Sequence, residues 1–124
     1  MKADFALTPV RVSAKAYVLE VGGELDLYTA PRLSSQVGEM IALGATSLVV
    51  DLTETTFVDS TALHVLLDAK KRILAEGGDL VVVCPSPHVR RIFEVTGVDG
   101  LLQLCRSVEV ANEMLSPEGH THAA

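Results

Sequence analysis

Two runs in this chain, Leu48-Val49-Val50 with Asp51-Leu52, and Leu80-Val81-Val82-Val83, lack the apolar–polar alternation of a half-exposed strand. Runs of this kind are buried on both faces, as in parallel sheets covered by helices. The segments between and before them have helical period. Leu33, Val37, Met40 and Ile41 predict a helix over 30–43, with Thr29 as N-cap, Pro31 in the first turn and Gly44 as the stop. Leu63, Leu66, Leu67, Ile73 and Leu74 predict a second helix to about Glu76, ended by Gly77-Gly78. On that helix Leu63, Leu66 and Leu67 are expected to face the core.

The flanks complete the pattern. Phe5, Leu7, Val10 and Val12 predict a first strand, with Pro9 marking an edge or a bulge. Tyr17 to Val21 reads as a second strand, interrupted by Gly22-Gly23. Ser86-Pro87 starts a short helix that carries Val89, Ile92 and Phe93 and ends at Gly97. Leu101 to Leu104 reads as the last strand, and Ser107 caps a final helix through Val108, Ala111 and Leu115. The order β-β-α-β-α-β-α-β-α predicts one α/β domain with a mixed, mostly parallel sheet and about four helices. Residues 1–116 form that domain in this reading, and 117–124 a flexible polar tail. Aromatic residues are only 4% of the chain and Trp is absent, so the core is expected to be aliphatic.

Several function classes fall away. A net charge of -6 with scattered Lys and Arg does not suit nucleic acid, whose phosphates require clustered cations. The exceptions, Lys70-Lys71-Arg72 and Arg90-Arg91, are read as solvated helix faces. No apolar run approaches the ~18–20 residues of a membrane span, and Met1-Lys2-Ala3-Asp4 does not suit a signal peptide. A cytoplasmic protein with no membrane partner is expected. Phosphate-loop, dinucleotide and nucleophile-elbow motifs are missing. His120 and His122 in the tail lack further ligands, so no metal is expected there. Asp51 ends an apolar run, where a receiver domain carries its phosphoacceptor. The early acidic pair and the late Lys of that chemistry are absent. Cys84 and Cys105 each close a predicted strand; if those strands are parallel neighbours, the two thiols form a candidate redox pair.

The sharpest segment is Thr56-Phe57-Val58-Asp59-Ser60-Thr61-Ala62-Leu63. Thr53 to Asp59 reads as a polar loop that leaves a buried strand and enters a helix. Asp59, Ser60 and Thr61 are all capping residue types, so Ser60 can be read simply as a cap, worth about 1 kcal/mol. The same place suits a phosphate, because free N–H groups and the helix dipole favour an anion. A phosphoserine there adds about -1.5 to -2 charges, opposed by Asp59, Glu54 and Asp26 nearby in this reading. Helical spacing sets Ser60, His64 and Asp68 along one side. A hydrolase built on Ser60 and His64 is a poor reading, since no third group orients the His.

At these residues the chain resembles the STAS domain family, and within it the bacterial anti-sigma factor antagonists. Gly23-Glu24-Leu25-Asp26-Leu27-Tyr28-Thr29-Ala30 resembles the family's segment between second strand and first helix. Leu48 to Leu52, then Phe57 to Leu63, resembles its third strand and phosphorylation loop, and Arg91-Ile92-Phe93 with Thr96-Gly97-Val98 adds a weaker match. The similarity spans roughly 5 to 115. Ala62 stands where many members have Gly. The resemblance implies a partner-switching regulator of transcription, tied to stress response, and not an enzyme. It implies binding to an anti-sigma factor that is also a serine kinase, phosphorylation by that kinase on Ser60, and reset by a PP2C-type phosphatase. ATP and Mg²⁺ belong to the kinase, so no cofactor is expected here. Asp26 and Asp59 match acidic positions near the phosphoacceptor, and Thr61 the neighbouring hydroxyl. The expected contact patch is Asp26, Asp59, Ser60, Thr61, His64 and Asp68, on a monomer or weak dimer. The alternative is a STAS subunit of another assembly, a lipid-transport complex or a stressosome-like scaffold, with Ser60 as cap or docking residue.

Overall fold

The computed structural model describes residues 4–116. The expected tail, 117–124, with His120 and His122, lies outside the described residues. Five strands, β1 (Ala6–Ser13), β2 (Ala16–Leu25), β3 (Ser47–Val58), β4 (Asp79–Val83) and β5 (Gln103–Cys105), lie side by side in sequence order. Only the β1–β2 hairpin is antiparallel; β2, β3, β4 and β5 run parallel. The helices are α1 (Ala30–Ala42), α2 (Ser60–Ala75), α3 (Pro87–Val95) and α4 (Val108–Leu115), with a 3₁₀ turn at Val98–Gly100.

The non-alternating runs are explained by helices on both sides. Leu48, Val50 and Leu52, with Leu80 and Val82, face α1, α2 and α3, meeting Leu33, Val37 and Met40, Leu63, Leu66 and Ile73, and Val89 and Phe93. The intervening Val49, Val81 and Val83 face α4 and its Ala111. Adjacent residues in a strand point to opposite faces, so burying both faces demands consecutive apolar residues. Leu67 is half-buried at the rim of this core and Leu74 is exposed, so the helix stripe is narrower than its leucines suggest.

Three local expectations are corrected. The stretch 53–58 is strand, not loop: β3 continues to Val58, pairing Glu54 with Gly22, Thr55 with Gly23 and Val58 with Leu25. Its polarity comes from uncovered faces, and Thr55 spends its buried hydroxyl on the carbonyl of Val21 at 2.7 Å. Gly22-Gly23 does not end β2; the strand passes through two irregularities there. Gly23 takes φ +89°, and a Cβ on it would lie 2.9 Å from the Asp4 carbonyl oxygen, which only glycine tolerates. The last strand is Gln103–Cys105, because Val98 to Leu101 is spent on the 3₁₀ turn.

Entry to β4 is set by one close approach. The Lys70 ammonium pairs with the Asp79 carboxylate and reaches the Leu80 carbonyl at 3.2 Å. Asp79 N–H donates to the Thr46 carbonyl at 2.9 Å. Gly78 lies so near that a Cβ would stand 2.2 Å from the same oxygen. Backbone cannot retreat as a side-chain tip can. Gly78→Ala is therefore expected to cost about 1–3 kcal/mol, the range of core overpacking. Urea unfolding checks this; Gly100→Ala, with nothing within 4 Å of its Cβ, is the tolerant control.

Candidate functional site

The long reach of β3 carries Asp59 and α2 beyond the end of β4, whose pairing with β3 stops at Asp51 opposite Val83. Beside it, β2 ends at Leu25 and opens into the turn before α1. Asp59 N–H donates to the Leu25 carbonyl at 3.2 Å, fixing the two exits together. The Asp59 carboxylate then divides its oxygens. Oδ1 accepts from the Ala62 N–H at 3.0 Å, capping α2, and Oδ2 accepts from the Leu27 N–H at 3.0 Å across the gap. One side chain thus satisfies an orphan helix donor and a donor of the neighbouring loop.

Asp26 organises that loop. Its Oδ1 accepts from Tyr28 N–H at 2.9 Å and Thr29 N–H at 3.1 Å. Thr29 is not the side-chain cap of α1 that its type suggests. Its hydroxyl donates to the Glu24 carbonyl and accepts from Asp26 N–H, each at 2.8 Å. The Asp26 carboxylate thus closes the turn before α1, and the threonine expected as a side-chain cap bonds back into that turn instead.

With Asp59 as cap, Ser60 is the first helical residue of α2. Its hydroxyl is exposed and makes no hydrogen bond among the described residues. His64 and Asp68 are also exposed on α2, while Asp26, Asp59 and Thr61 are half-buried. Asp68 lies 3.8 Å from Arg72 in an exposed pair, which contributes little to stability. No hydrogen bond joins His64 to Ser60, so the pair does not form a nucleophile and base. The sequence reading missed the apolar part of this end. Tyr28 is 83% exposed, and Leu27 and Phe57 are also open to solvent. All three sit inside the motifs that drew attention to the acids. Nothing in the local pattern separates them from core residues, because their exposure depends on where the loops end up.

The candidate redox pair is not formed. β4 and β5 are neighbours and Val83 stands opposite Cys105, but Cys84 is one residue further and points to the other face. Cys84 packs toward α1–α3 and Cys105 toward α4, and both are free and buried. The thiols donate instead to nearby carbonyls, Cys84 to Ser86 at 3.9 Å and Cys105 to Ser107 at 3.4 Å. Burial raises both thiol pKa values above the ordinary 9.0; Arg90 opposes it at Cys84, and the Ser107 contact and Arg90 oppose it at Cys105.

Among the described residues no helix is long and apolar enough to cross a membrane, and no group of His, Cys, Asp and Glu is arranged to hold a metal. The STAS domain family model matches residues 8–111. The chain belongs to the STAS domain family. The anti-sigma-B factor antagonist of Staphylococcus aureus is 32% identical over 96 residues, covering 77% of this chain and 89% of that protein. An anti-sigma factor antagonist from Mycobacterium paratuberculosis superimposes with a TM-score of 0.82 at 28% identity, over 90% of this chain and 94% of the other. SpoIIAA, an anti-sigma factor antagonist in its unphosphorylated form, shares the fold with a TM-score of 0.75 at 21% identity, over 88% and 96%.

Two outcomes follow. Asp59→Ala removes both carboxylate bonds and is expected to destabilise by about 1–3 kcal/mol, a lost cap plus a lost charged hydrogen bond. Asp59→Asn keeps one acceptor oxygen for two donors and should fall between wild type and Ala in urea unfolding. For the cysteines, oxidant should leave the intact mass without the loss of two hydrogens, and both should alkylate slowly until the protein is denatured. A folded-state pKa above the unfolded value means that the thiols' contribution is fully present below about 9. It is lost as pH rises through the raised folded values, so stability should decline on that alkaline side. Cys84→Ala and Cys105→Ala together should flatten the decline.

Proposed function

We propose that this chain is an anti-sigma factor antagonist switched by phosphorylation of Ser60. In this reading the unphosphorylated form binds an anti-sigma factor with serine kinase activity through Asp26, Asp59, Ser60, Thr61, His64 and Asp68, and so frees a sigma factor. The kinase then phosphorylates Ser60, and a PP2C-type phosphatase restores the active form. The observation that carries it is the division of labour at α2: Asp59 makes the cap, so the Ser60 hydroxyl is exposed and has no structural partner. The names of the staphylococcal relatives, anti-sigma-B factor antagonists, support the partner class. The chain acts as a regulator and not an enzyme in this reading, in the cytoplasm, as a monomer or weak dimer.

A phosphate on Ser60 sits at the positive end of α2, where the N–H groups of Ser60 and Thr61 have no protein partner among the described residues. Those donors and the helix dipole stabilise it within the domain. The cost falls on the interface, where a dianion replaces a neutral hydroxyl. A 100-fold loss of affinity requires only ~2.7 kcal/mol, which desolvation and repulsion in a closed contact can supply. The alternative, a STAS subunit of a lipid-transport complex or stressosome-like scaffold, uses Ser60 as cap or docking residue. The capping half of it loses its support, since Asp59 holds that role.

The test is incubation with ATP and, one at a time, the purified anti-sigma serine kinases of the source organism, followed by mapping of the phosphate. Ser60 should be the modified residue. Ser60→Ala should bind and resist phosphorylation, and Ser60→Asp should fold but bind at least ~10-fold more weakly. Phosphate on Thr61, with Ser60→Ala modified as before, would show that Ser60 is not the switch.

A further inference from the structure

Beyond the loop that carries Ser60 lies a groove that no step above uses. Residues 52–58 of β3 have β2 on one side and no strand on the other, because β4 ends opposite Asp51. Helix α3 packs along that vacant edge. Between them is a depression of about 270 Å³, with Val58 and Val89 as its buried floor and Phe57, Ile92 and Val95 as apolar walls. Val95 is 68% exposed and Phe57 46%. His88 and Arg91, both exposed, form the rim, and Arg91 makes no ion pair among the described residues.

We propose that this groove is the second half of the kinase-binding surface, and that it receives an apolar side chain of that partner with a carboxylate beside it. The inference rests on the Ser60 reading. Three observations carry it further. The first is continuity: Val58 lines the groove and Asp59 is the next residue, while the Leu27 N–H bond to Asp59 ties in the exposed Leu27 and Tyr28. Apolar surface therefore runs on both sides of the phosphoacceptor. The second is area. A specific complex covers about 800 Å² and 20–30 residues on each partner. The loop and the first turns of α2 offer a handful of positions, so the contact must extend, and contiguous exposed apolar groups mark the direction. The third is charge. Asp26 and Asp59 place carboxylates at the loop, whereas Arg91 places a cation at the groove rim. A partner that fits presents cations to the loop and an acid to the rim. The groove is below the ~300–1,000 Å³ of small-molecule sites, a size suited to one anchoring side chain. Such anchors carry most of the energy of an interface.

The experiment measures affinity for the kinase that modifies Ser60, using purified full-length chains and calorimetry without ATP turnover. Val95→Asp and Arg91→Glu are each expected to weaken binding about 10-fold or more, the usual effect of a central contact. Leu43→Asp, at a residue 70% exposed beyond the end of α1, should bind within about twofold of wild type, the effect of a surface change outside the contact. Thermal melts verify that each variant folds; Arg91→Glu, at an exposed polar position, keeps the test decisive should Val95→Asp unfold. Wild-type affinity in both groove variants, alongside weakened binding by Ser60→Asp, would overturn the groove and leave the Ser60 reading standing. Equal weakening by Leu43→Asp would also overturn it. If wild-type protein binds none of the purified kinases, both readings fall.

Discussion

Two backbone N–H groups, one from the first turn of α2 and one from the turn between β2 and α1, meet on the carboxylate of Asp59. Everything at this end of the molecule depends on that sharing. The Ala62 bond starts α2 at a defined residue, and the Leu27 bond fixes the β2–α1 turn against it. Each donor alone is an ordinary cap or turn contact. Together they join segments about thirty residues apart in sequence, beside the Asp59 N–H bond to the Leu25 carbonyl. The second loop is stiffened in turn by Asp26, whose carboxylate closes the turn over Tyr28 and Thr29.

The consequence for Ser60 is freedom from structural duty. A hydroxyl that caps a helix is already engaged with a backbone N–H. Here the cap belongs to the neighbour, and the Ser60 hydroxyl stays open to solvent. Asp59 carries the stability of this junction, and the switch proposed above uses the neighbouring residue that carries none of it.

The unequal lengths of β3 and β4 set the wider geometry. β3 outruns its neighbour, which moves the start of α2 away from the body of the sheet and leaves a strand edge for α3 to cover. Polar residues along 53–56 tolerate water on the open faces, and the Thr55 and Thr56 hydroxyls bond back to β2 carbonyls. The same overhang creates both the presented loop and the groove beside it.

The layered α/β architecture was legible because burial on both faces leaves a mark that no half-exposed strand carries. Leu48 to Val50 and Leu80 to Val83 announce it, and the helical stripes between them name their covers. Ser86, Ser107 and Gly77 likewise act locally, as two side-chain caps and a positive-φ helix stop. Asp26, Asp59 and Ser60 were visible as a cluster of polar residues at a helix start. Which residue caps was not, because Asp59, Ser60 and Thr61 all had the right chemistry; in the structure the Asp59 carboxylate caps with one oxygen and holds the distant Leu27 N–H with the other. The extension of β3 was hidden for a similar reason: Thr53 to Thr56 read as loop by composition, and only pairing with β2 makes them strand. The strands before Cys84 and through Cys105 are parallel neighbours, yet Cys84 lies one residue past the end of β4, and that offset sends the two thiols to opposite faces. Sequence by itself determined the elements, their order and the aliphatic core, since these follow from local propensity and periodicity. Tertiary structure alone decided the cap, the free hydroxyl, the exposed Leu27, Tyr28 and Phe57, and the separated thiols, since each depends on contacts between segments distant in the chain.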